Sequence, residues 1–296
     1  MRLATWIAAA VASAAIGISG ASAGDDDNKL VFGSVSHLAI GHRDIASTDN
    51  GGTNGSGQTT EFSSTSAYNI PIWKSVSLQI DSVSEFLEGT NGAFDPKQTS
   101  ALGAHLSYRV PSKGLIGIFG GYSWTRLENH QDYEMGLLGA EAQLYLGNWT
   151  FYAQGGVGNN TKDDSPGQSQ GFNDGWFVRG VVRYFPSPDS KLEAELAFAQ
   201  AEPYVNGNEG KFTSWGVSYD HKLFNAFGFP VYGTLAYRGA YYDGTSENDH
   251  VNEHVAKVGV KVLFGAKSLL HNDRYGATLD LPMLPIRANA VTENID

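Results

Sequence analysis

Charged and polar side chains recur at every second position along several short segments of this sequence. In residues 102–110 the odd positions hold Gly103, His105, Ser107 and Arg109, whereas the even positions hold leucine, alanine, tyrosine and valine. Side chains two residues apart lie on the same face of a β-strand, so each such segment presents one polar and one apolar face. A polar face of this kind can line a surface that contacts water, ions or small solutes.

The ionisable side chains on these polar faces are the candidate functional residues. Arg179 and Arg183 lie on the segment next to the one that carries Glu193 and Glu195, so opposite charges can pair across a hairpin. The complete set is Asp81, Glu85, His105, Arg109, Glu141, Arg179, Arg183, Glu193, Glu195, Asp220, Lys222, Arg238, Lys257 and Lys261.

Catalytic patterns are weak in this sequence. His105 and Ser107 share a face, and His37 has Ser34 and Ser36 nearby, but no motif surrounds either group. With 8 histidines and many serines in the chain, such neighbours are expected by chance. We therefore expect no catalytic residues.

Metal and cofactor sites are not indicated either. The chain has 0 cysteines, which excludes disulfides and thiolate metal ligands. His250 and His254 are expected in a loop and the strand that follows it, and residues 25–27 are three aspartates that fit a solvated terminus better than a calcium site. The sequence predicts neither a metal site nor a cofactor.

The elements that position these residues are predicted to be β-strands of one closed barrel. Alternation continues from residue 29 to residue 265 in segments of roughly ten residues, with no helical interlude. About twelve such strands can be counted, the first two at residues 29–42 and 62–72. The gaps alternate between short turns, near 73–75, 111–114, 147–148, 187–190 and 226–230, and longer loops, near 45–60, 89–99, 160–174, 204–210 and 244–252, with 129–132 a brief exception.

The N-terminal residues resemble a secretory signal peptide in their layout. Arg2 precedes an apolar stretch at residues 6–18, and an Ala-Ser-Ala cleavage site ends at residue 23. An exported barrel with apolar outward faces is expected to span the bacterial outer membrane. We predict a signal peptide at residues 1–23, a transmembrane β-barrel at 24–265 and a periplasmic C-terminal tail at 266–296.

Composition supports this assignment. The 36 glycines suit crowded barrel strands, and an aromatic content of 12% suits the boundary between lipid and water. The formal net charge of −11 argues against a nucleic-acid partner, which would favour a basic face.

Loop lengths and aromatic residues predict the orientation of the barrel. Outer-membrane barrels have short periplasmic turns and longer external loops, so an even strand count places both chain ends in the periplasm. The aromatic residues fall into an outer girdle of Trp124, Trp176 and Trp215 and a periplasmic girdle of Tyr108, Trp149, Tyr184 and Phe264.

The segment after residue 265 lacks alternation and contains Pro282 and Pro285. Disorder in the periplasm is the favoured interpretation. Folding into the barrel as a plug, or contact with the cell wall, are the alternatives, and the apolar residues at 279, 281, 283 and 284 weaken the prediction of disorder.

Residues 257–264 resemble the assembly signal of outer-membrane barrel proteins. Lys257, Gly259, Val262 and Phe264 match the polar residue, glycine, hydrophobe and terminal aromatic of that signal, although about 30 residues follow here where a barrel usually ends. Residues 103–124 are also similar to porin-like barrels. This resemblance implies a Gram-negative outer-membrane β-barrel, with outer-membrane lipids and the barrel assembly machinery as partners.

Three functions fit these expectations. The first is a porin-like channel for passive diffusion of small hydrophilic solutes, with a weak anion preference from Arg179, Arg183, Arg238, Lys257 and Lys261. The second is a non-conducting structural or surface-interaction protein whose polar residues only fill a small barrel. The third and least favoured is a lipid-modifying enzyme on the barrel wall.

Overall fold

The computed structural model describes residues 29–48, 55–88, 96–127, 132–161, 172–203, 209–243 and 250–291. The predicted signal peptide at residues 1–23 and parts of the predicted long loops lie outside these ranges. None of the helices formed by the described residues has both the length and the apolar character needed to cross a membrane.

Twelve β-strands and two short helices make up the described residues. The strands are β1 (Gly33–Thr48), β2 (Gly55–Pro71), β3 (Val76–Glu88), β4 (Pro96–Val110), β5 (Gly114–Leu127), β6 (Asp132–Leu146), β7 (Trp149–Asn160), β8 (Phe172–Ser187), β9 (Ser190–Pro203), β10 (Gly210–Ala226), β11 (Phe229–Asp243) and β12 (His250–Phe264). The helices are α1 (Leu269–Tyr275) and α2 (Met283–Val291).

The sheet closes on itself. Each strand pairs antiparallel with the next one in the sequence, and β1 pairs with β12 from Ser34 opposite Phe264 to Thr48 opposite His250. Closure satisfies the backbone hydrogen-bonding groups that an edge strand would leave unpaired. The predicted antiparallel barrel of about twelve strands is confirmed.

Alternation separates the inside of the barrel from the outside. In β4 the side chains of His105, Ser107 and Arg109 are buried, whereas those of Leu106 and Tyr108 are about half exposed. The other strands continue the outward apolar band, which includes Ile116, Leu138, Leu196 and Leu235 among its most exposed side chains. A continuous apolar surface of this size suits contact with lipid rather than water.

Short turns connect the strands at one end, as predicted. The β10–β11 turn contains Phe227 at φ 51° and Gly228 at φ 85°. Both values lie in the left-handed region that two-residue hairpin turns require. Glycine adopts this conformation without strain, whereas a phenylalanine in it is uncommon.

The first two strands are longer than predicted. Residues 45–60 were expected to form a long loop, but β1 continues to Thr48 and β2 begins at Gly55. Ile45 pairs with Gly57, and its side chain points inward and is buried. The Gly-, Ser- and Thr-rich sequence resembles a loop, yet backbone ladder bonds form regardless of side-chain type.

The aromatic residues predicted to form the two girdles lie at the two ends of the barrel. Trp124, Trp176 and Trp215 lie near the ends of strands that lead into the long loops, and all three are more than a third exposed. At the short-turn end, Trp149 stacks on Tyr184 with ring centroids 4.4 Å apart. Tyr108 and Phe264 also lie at this end, Tyr108 with an exposed side chain and Phe264 half-buried.

The C-terminal segment folds into the barrel. After β12, Gly265 adopts φ 81°, and a side chain here would collide with the carbonyl oxygen of Phe32. Helix α1 then crosses the short-turn mouth: Leu270 donates to the carbonyl of Pro188, and the Tyr275 carbonyl accepts from Val31. Helix α2 lies farther along the interior, toward the long-loop end.

Candidate functional site: the lumen

The structure places the sequence-predicted polar residues along the inner wall. Those with side chains nearly or fully buried are Asp81, Glu85, His105, Arg109, Glu141, Arg179, Arg183 and Asp220. Those that are half-buried are Glu193, Glu195, Lys222, Arg238, Lys257 and Lys261. Lys222 differs from the rest because it lies at the short-turn end, where its ammonium is 3.5 Å from Asp189.

On β1, β2 and β9–β12 the charged side chains pair with one another across the wall. Asp220 accepts from Lys261 at 2.5 Å and contacts Lys191 at 3.2 Å. Glu253 contacts Arg43 at 2.9 Å and Arg238 at 2.6 Å.

Glu61 contributes to the same set through Lys257 and Arg238. The sequence interpretation missed Glu61, Arg43, Glu253 and Lys191. All four lie on strand faces that alternation alone could have marked as inward.

A second cluster surrounds His105 on β4. Its Nδ1 is 2.9 Å from Glu141, and its Nε2 is 3.0 Å from Asp81. Tyr152 donates its hydroxyl to Glu141 at 2.7 Å, and Gln79 donates to Asp81 at 2.6 Å. Both ring nitrogens of His105 contact carboxylates. The imidazole therefore fixes the positions of Asp81 and Glu141 on the inner wall.

The serine–histidine pairs considered in the sequence do not form catalytic contacts. Ser107 shares a hydrogen bond of 3.1 Å with Ser77, not with His105. His37 faces the lumen, whereas the alternation of β1 places Ser34 and Ser36 on the opposite face. Within the described ranges, no group of three or more histidine, cysteine, aspartate or glutamate side chains is arranged to hold a metal ion.

The inner wall of β3–β8 also contacts the C-terminal segment. Arg183 donates to Asp273 at 3.1 Å and to the carbonyl of Thr278 at 2.9 Å. Arg179 contacts Asp280 at 2.5 Å while also pairing with Glu195 on β9. Two of the bases predicted to line an open passage therefore hold the tail.

The pKa of Asp280 depends on its ion pair with Arg179. Burial alone would raise its pKa, but the guanidinium of Arg179 outweighs that effect and holds the pKa of Asp280 below its usual range. The carboxylate is therefore charged at neutral pH and anchors the middle of the tail.

Helix α2 packs into an apolar half of the lumen. Leu284, Ile286 and Ala288 are buried against inward-facing residues near the long-loop end of the wall, among them Phe212 and Met135. On its other side, Arg287 forms an ion pair with Glu85 of β3. This arrangement fixes the helix at the long-loop end of the interior.

These contacts correct the expectation for the tail. Residues 266–291 are folded across the short-turn mouth and into the lumen, so the favoured interpretation of disorder does not hold for them and the alternative of a plug describes them. The last described residues lie toward the long-loop end, whereas the barrel itself ends at the short turns. An even number of strands places the end of β12 at the same end of the barrel as the start of β1. It does not restrict the path of the segment that follows β12.

The tail leaves part of the lumen unfilled. A cavity of about 380 Å³ lies between the tail and the wall formed by β1–β3 and β8–β12. Small and hydroxyl side chains line part of it, namely Ser63, Thr65, Ser218, Thr234 and Ala236. Its volume is in the range of small-molecule sites in proteins.

Charges around the cavity are nearly balanced. Among the described residues, seven Lys and Arg side chains and six carboxylates line it. Each base expected to favour anions, such as Lys261 with Asp220, has a carboxylate partner. The predicted positive column is therefore neutralised, and the basis for anion preference is weak.

Comparisons with known proteins support the architecture. No protein-family model matches the sequence, and no curated protein matches it. The crystal structure of an outer membrane channel from Pseudomonas putida F1 aligns with a TM-score of 0.61 at 16% identity, covering 81% of this chain and 99% of that one. The chain has the outer-membrane β-barrel fold. At this identity, the likeness concerns the fold alone.

Two other solved structures align more loosely. They are the translocator domain of the autotransporter NalP from Neisseria meningitidis (TM-score 0.41, 14% identity, 86% of this chain and 96% of that one) and the KdgM porin in complex with oligogalacturonate (TM-score 0.39, 11% identity, 75% and 97%).

Proposed function

We propose that this outer-membrane β-barrel is a narrow channel for passive diffusion of small hydrophilic solutes. The observation that carries the proposal is the cavity of about 380 Å³ beside the tail, whose lining includes charged and hydroxyl side chains. Its hydroxyl and paired ionic side chains can exchange hydrogen bonds with a hydrated solute without presenting a large net charge.

The outer surface of the barrel supports a location in the bacterial outer membrane. The outward apolar band and the two aromatic ends suit a lipid bilayer, and the likeness to a P. putida outer membrane channel supports the bacterial outer membrane. The assembly machinery would recognise β12, whose Phe264 packs on Phe229 with ring centroids 4.7 Å apart.

The second candidate is a non-conducting barrel. The tail inside the lumen favours it, because a plugged interior needs no solute to explain its polar residues. We do not propose the enzyme, because His105 is held between two carboxylates and the alternation of β1 separates His37 from its neighbouring serines.

Conductance in planar bilayers tests the channel. We expect small discrete steps with weak ion selectivity in a salt gradient. Strong selectivity for cations or anions would contradict the charge balance. A correctly folded barrel that produces no steps would support the non-conducting alternative.

Site-specific thiol labelling locates the passage, because the chain has 0 native cysteines. Thr65→Cys places a thiol on the cavity wall, and a charged thiol reagent should reduce its conductance. The matched control is Leu235→Cys, whose side chain faces outward and is 60% exposed. Equal responses of the two variants would contradict the proposed path.

A further inference from the structure

We propose that the inner wall of β3–β8 is a peptide-binding groove from which the C-terminal segment is released, and that its release widens the channel. The ligand is the chain's own tail, residues 266–291. This proposal rests on the channel function proposed above, since it describes how the lumen of that channel changes size.

The groove recognises the backbone of the tail. Gln79 accepts from the backbone N–H groups of Thr278 and Leu279 at 3.0 and 3.1 Å, and it donates to the Leu279 carbonyl at 2.6 Å. One wall amide therefore satisfies three backbone groups of two consecutive residues. Buried backbone groups need such partners, and here the wall supplies them through side chains.

Other wall residues continue this pattern on either side. Arg109 donates to the Gly276 carbonyl at 2.7 Å, and Gln154 donates to the Asp280 carbonyl at 2.8 Å. Carbonyl groups at 276, 278, 279 and 280 are thus all bound by side chains from different strands of the wall. Hydrogen bonds of this kind bind an extended peptide through its backbone.

The groove also has a shaped site for one side chain. An added Cβ at Gly103 would come within 2.5 to 2.9 Å of three carbon atoms of Leu281, and one at Gly121 would also contact Leu281 at 2.9 Å. The two glycines therefore form a hollow on the inner wall that the leucine fills. A larger residue at either position would displace it.

The attachment permits release. Among the described residues, the tail pairs with no strand of the barrel, so its removal breaks no ladder. Its covalent connection to the barrel runs through the turn at Gly265, and its backbone bonds to the barrel ends are those to Val31 and Pro188. The cavity lies directly beside Leu279, Asp280 and Met283. The segment has both a hinge and adjoining space.

A truncated chain tests the proposal first. Ending the chain at Gly265 should raise the single-channel conductance by about two-fold or more, because the tail fills much of a barrel of this size. A synthetic peptide of residues 266–296 should then lower it again, whereas a scrambled peptide of the same composition should not.

A disulfide lock tests the full-length chain, in case the truncated chain fails to fold. Gly103→Cys with Leu281→Cys pairs two positions whose side chains meet in the groove. The wild type should show a small conductance level with transitions to a larger one. Oxidation of the double variant should abolish the larger level and reductant should restore it, whereas the same oxidation should leave the conductance levels of each single variant unchanged.

The outcomes separate the two proposals. If the wild type conducts and truncation leaves the conductance unchanged, the releasable tail is wrong and the channel stands. If the larger conductance level persists in the oxidised double variant, the proposal that the tail is released is also wrong. If the truncated chain conducts and the wild type never does, the tail is a plug and the resting channel is wrong. If neither conducts, both proposals fail.

Discussion

The two sides of the inner wall differ in what their charged side chains contact. On β1, β2 and β10–β12, bases meet acids of the same wall, as Arg43 and Arg238 do with Glu253. On β3–β8, wall residues such as Arg183 and Gln79 extend to the tail. The wall of β3–β8 has self-paired groups as well, but it also directs side chains to the backbone of residues 276–280, which explains why this stretch lies against it. Helix α2 packs on β10 in addition, through Phe212.

The largest expected effect compares two arginines, one from each side. Arg183→Ala removes one of two bases that contact Asp273, and Arg238→Ala removes one of two that contact Glu253. We expect each variant to lower the free energy of unfolding by about 1.5–3 kcal/mol, the contribution of a hydrogen bond to a charged group. Denaturant unfolding in detergent measures both. Only Arg183→Ala should also make the tail sensitive to protease, and equal sensitivity in both variants would erase the distinction between the two sides.

The next effect concerns the amide that binds the tail backbone. Gln79→Leu leaves the N–H groups of Thr278 and Leu279 without an acceptor, and we expect a loss of about 1–3 kcal/mol in the unfolding free energy. The matched change on the other side is Ser63→Ala, for which we expect less than about 0.5 kcal/mol. A similar loss from the serine variant would argue against a special role for the tail side.

A pair of glycines sharpens the comparison within the tail side. Gly103→Ala pushes against Leu281, with an expected cost of about 1–3 kcal/mol if the leucine cannot shift. Gly180→Ala adds a methyl group where no atom lies within 4 Å. The first variant should loosen the tail, as shown by faster hydrogen exchange of residues 278–281, and the second should not.

The smallest effect is expected from pH. The pKa of Asp280 is lowered in the folded chain, so its contribution to stability is present above the unfolded value of about 3.9 and is lost as the pH falls through the folded value. Tail protection measured by hydrogen exchange should therefore stay constant from about pH 8 to 5 and weaken only below about pH 4. Asp280→Asn should remove the part of this acid dependence that comes from Asp280.

Most of the wall could be predicted from the sequence. The period of two in residues 102–110 correctly placed His105 and Arg109 inside and Leu106 outside. The five short turns were also located correctly. The prediction was less accurate where side chains carry little pattern, as at residues 45–60, because backbone pairing of Ile45 with Gly57 does not require a distinctive side chain.

The tail could not be predicted in this way. Its partners lie far away in the sequence: Gln79 and Leu279 are 200 residues apart. The apolar residues at 281 and 284 indicated burial but not where, because the hollow at Gly103 and Gly121 exists only when β4 and β5 are paired. The expected positive column failed for the same reason, since its carboxylate partners include residues of the tail.

The sequence by itself determined which face of the wall each side chain occupies, because a two-residue period is a local property of an extended backbone. Only the tertiary structure decided what each inward side chain meets. Closure of β1 on β12 defines the lumen, and the left-handed turn at Gly265 sends the remaining chain into it. Whether a charge there pairs with the wall, the tail or a solute depends on distances that no local pattern encodes.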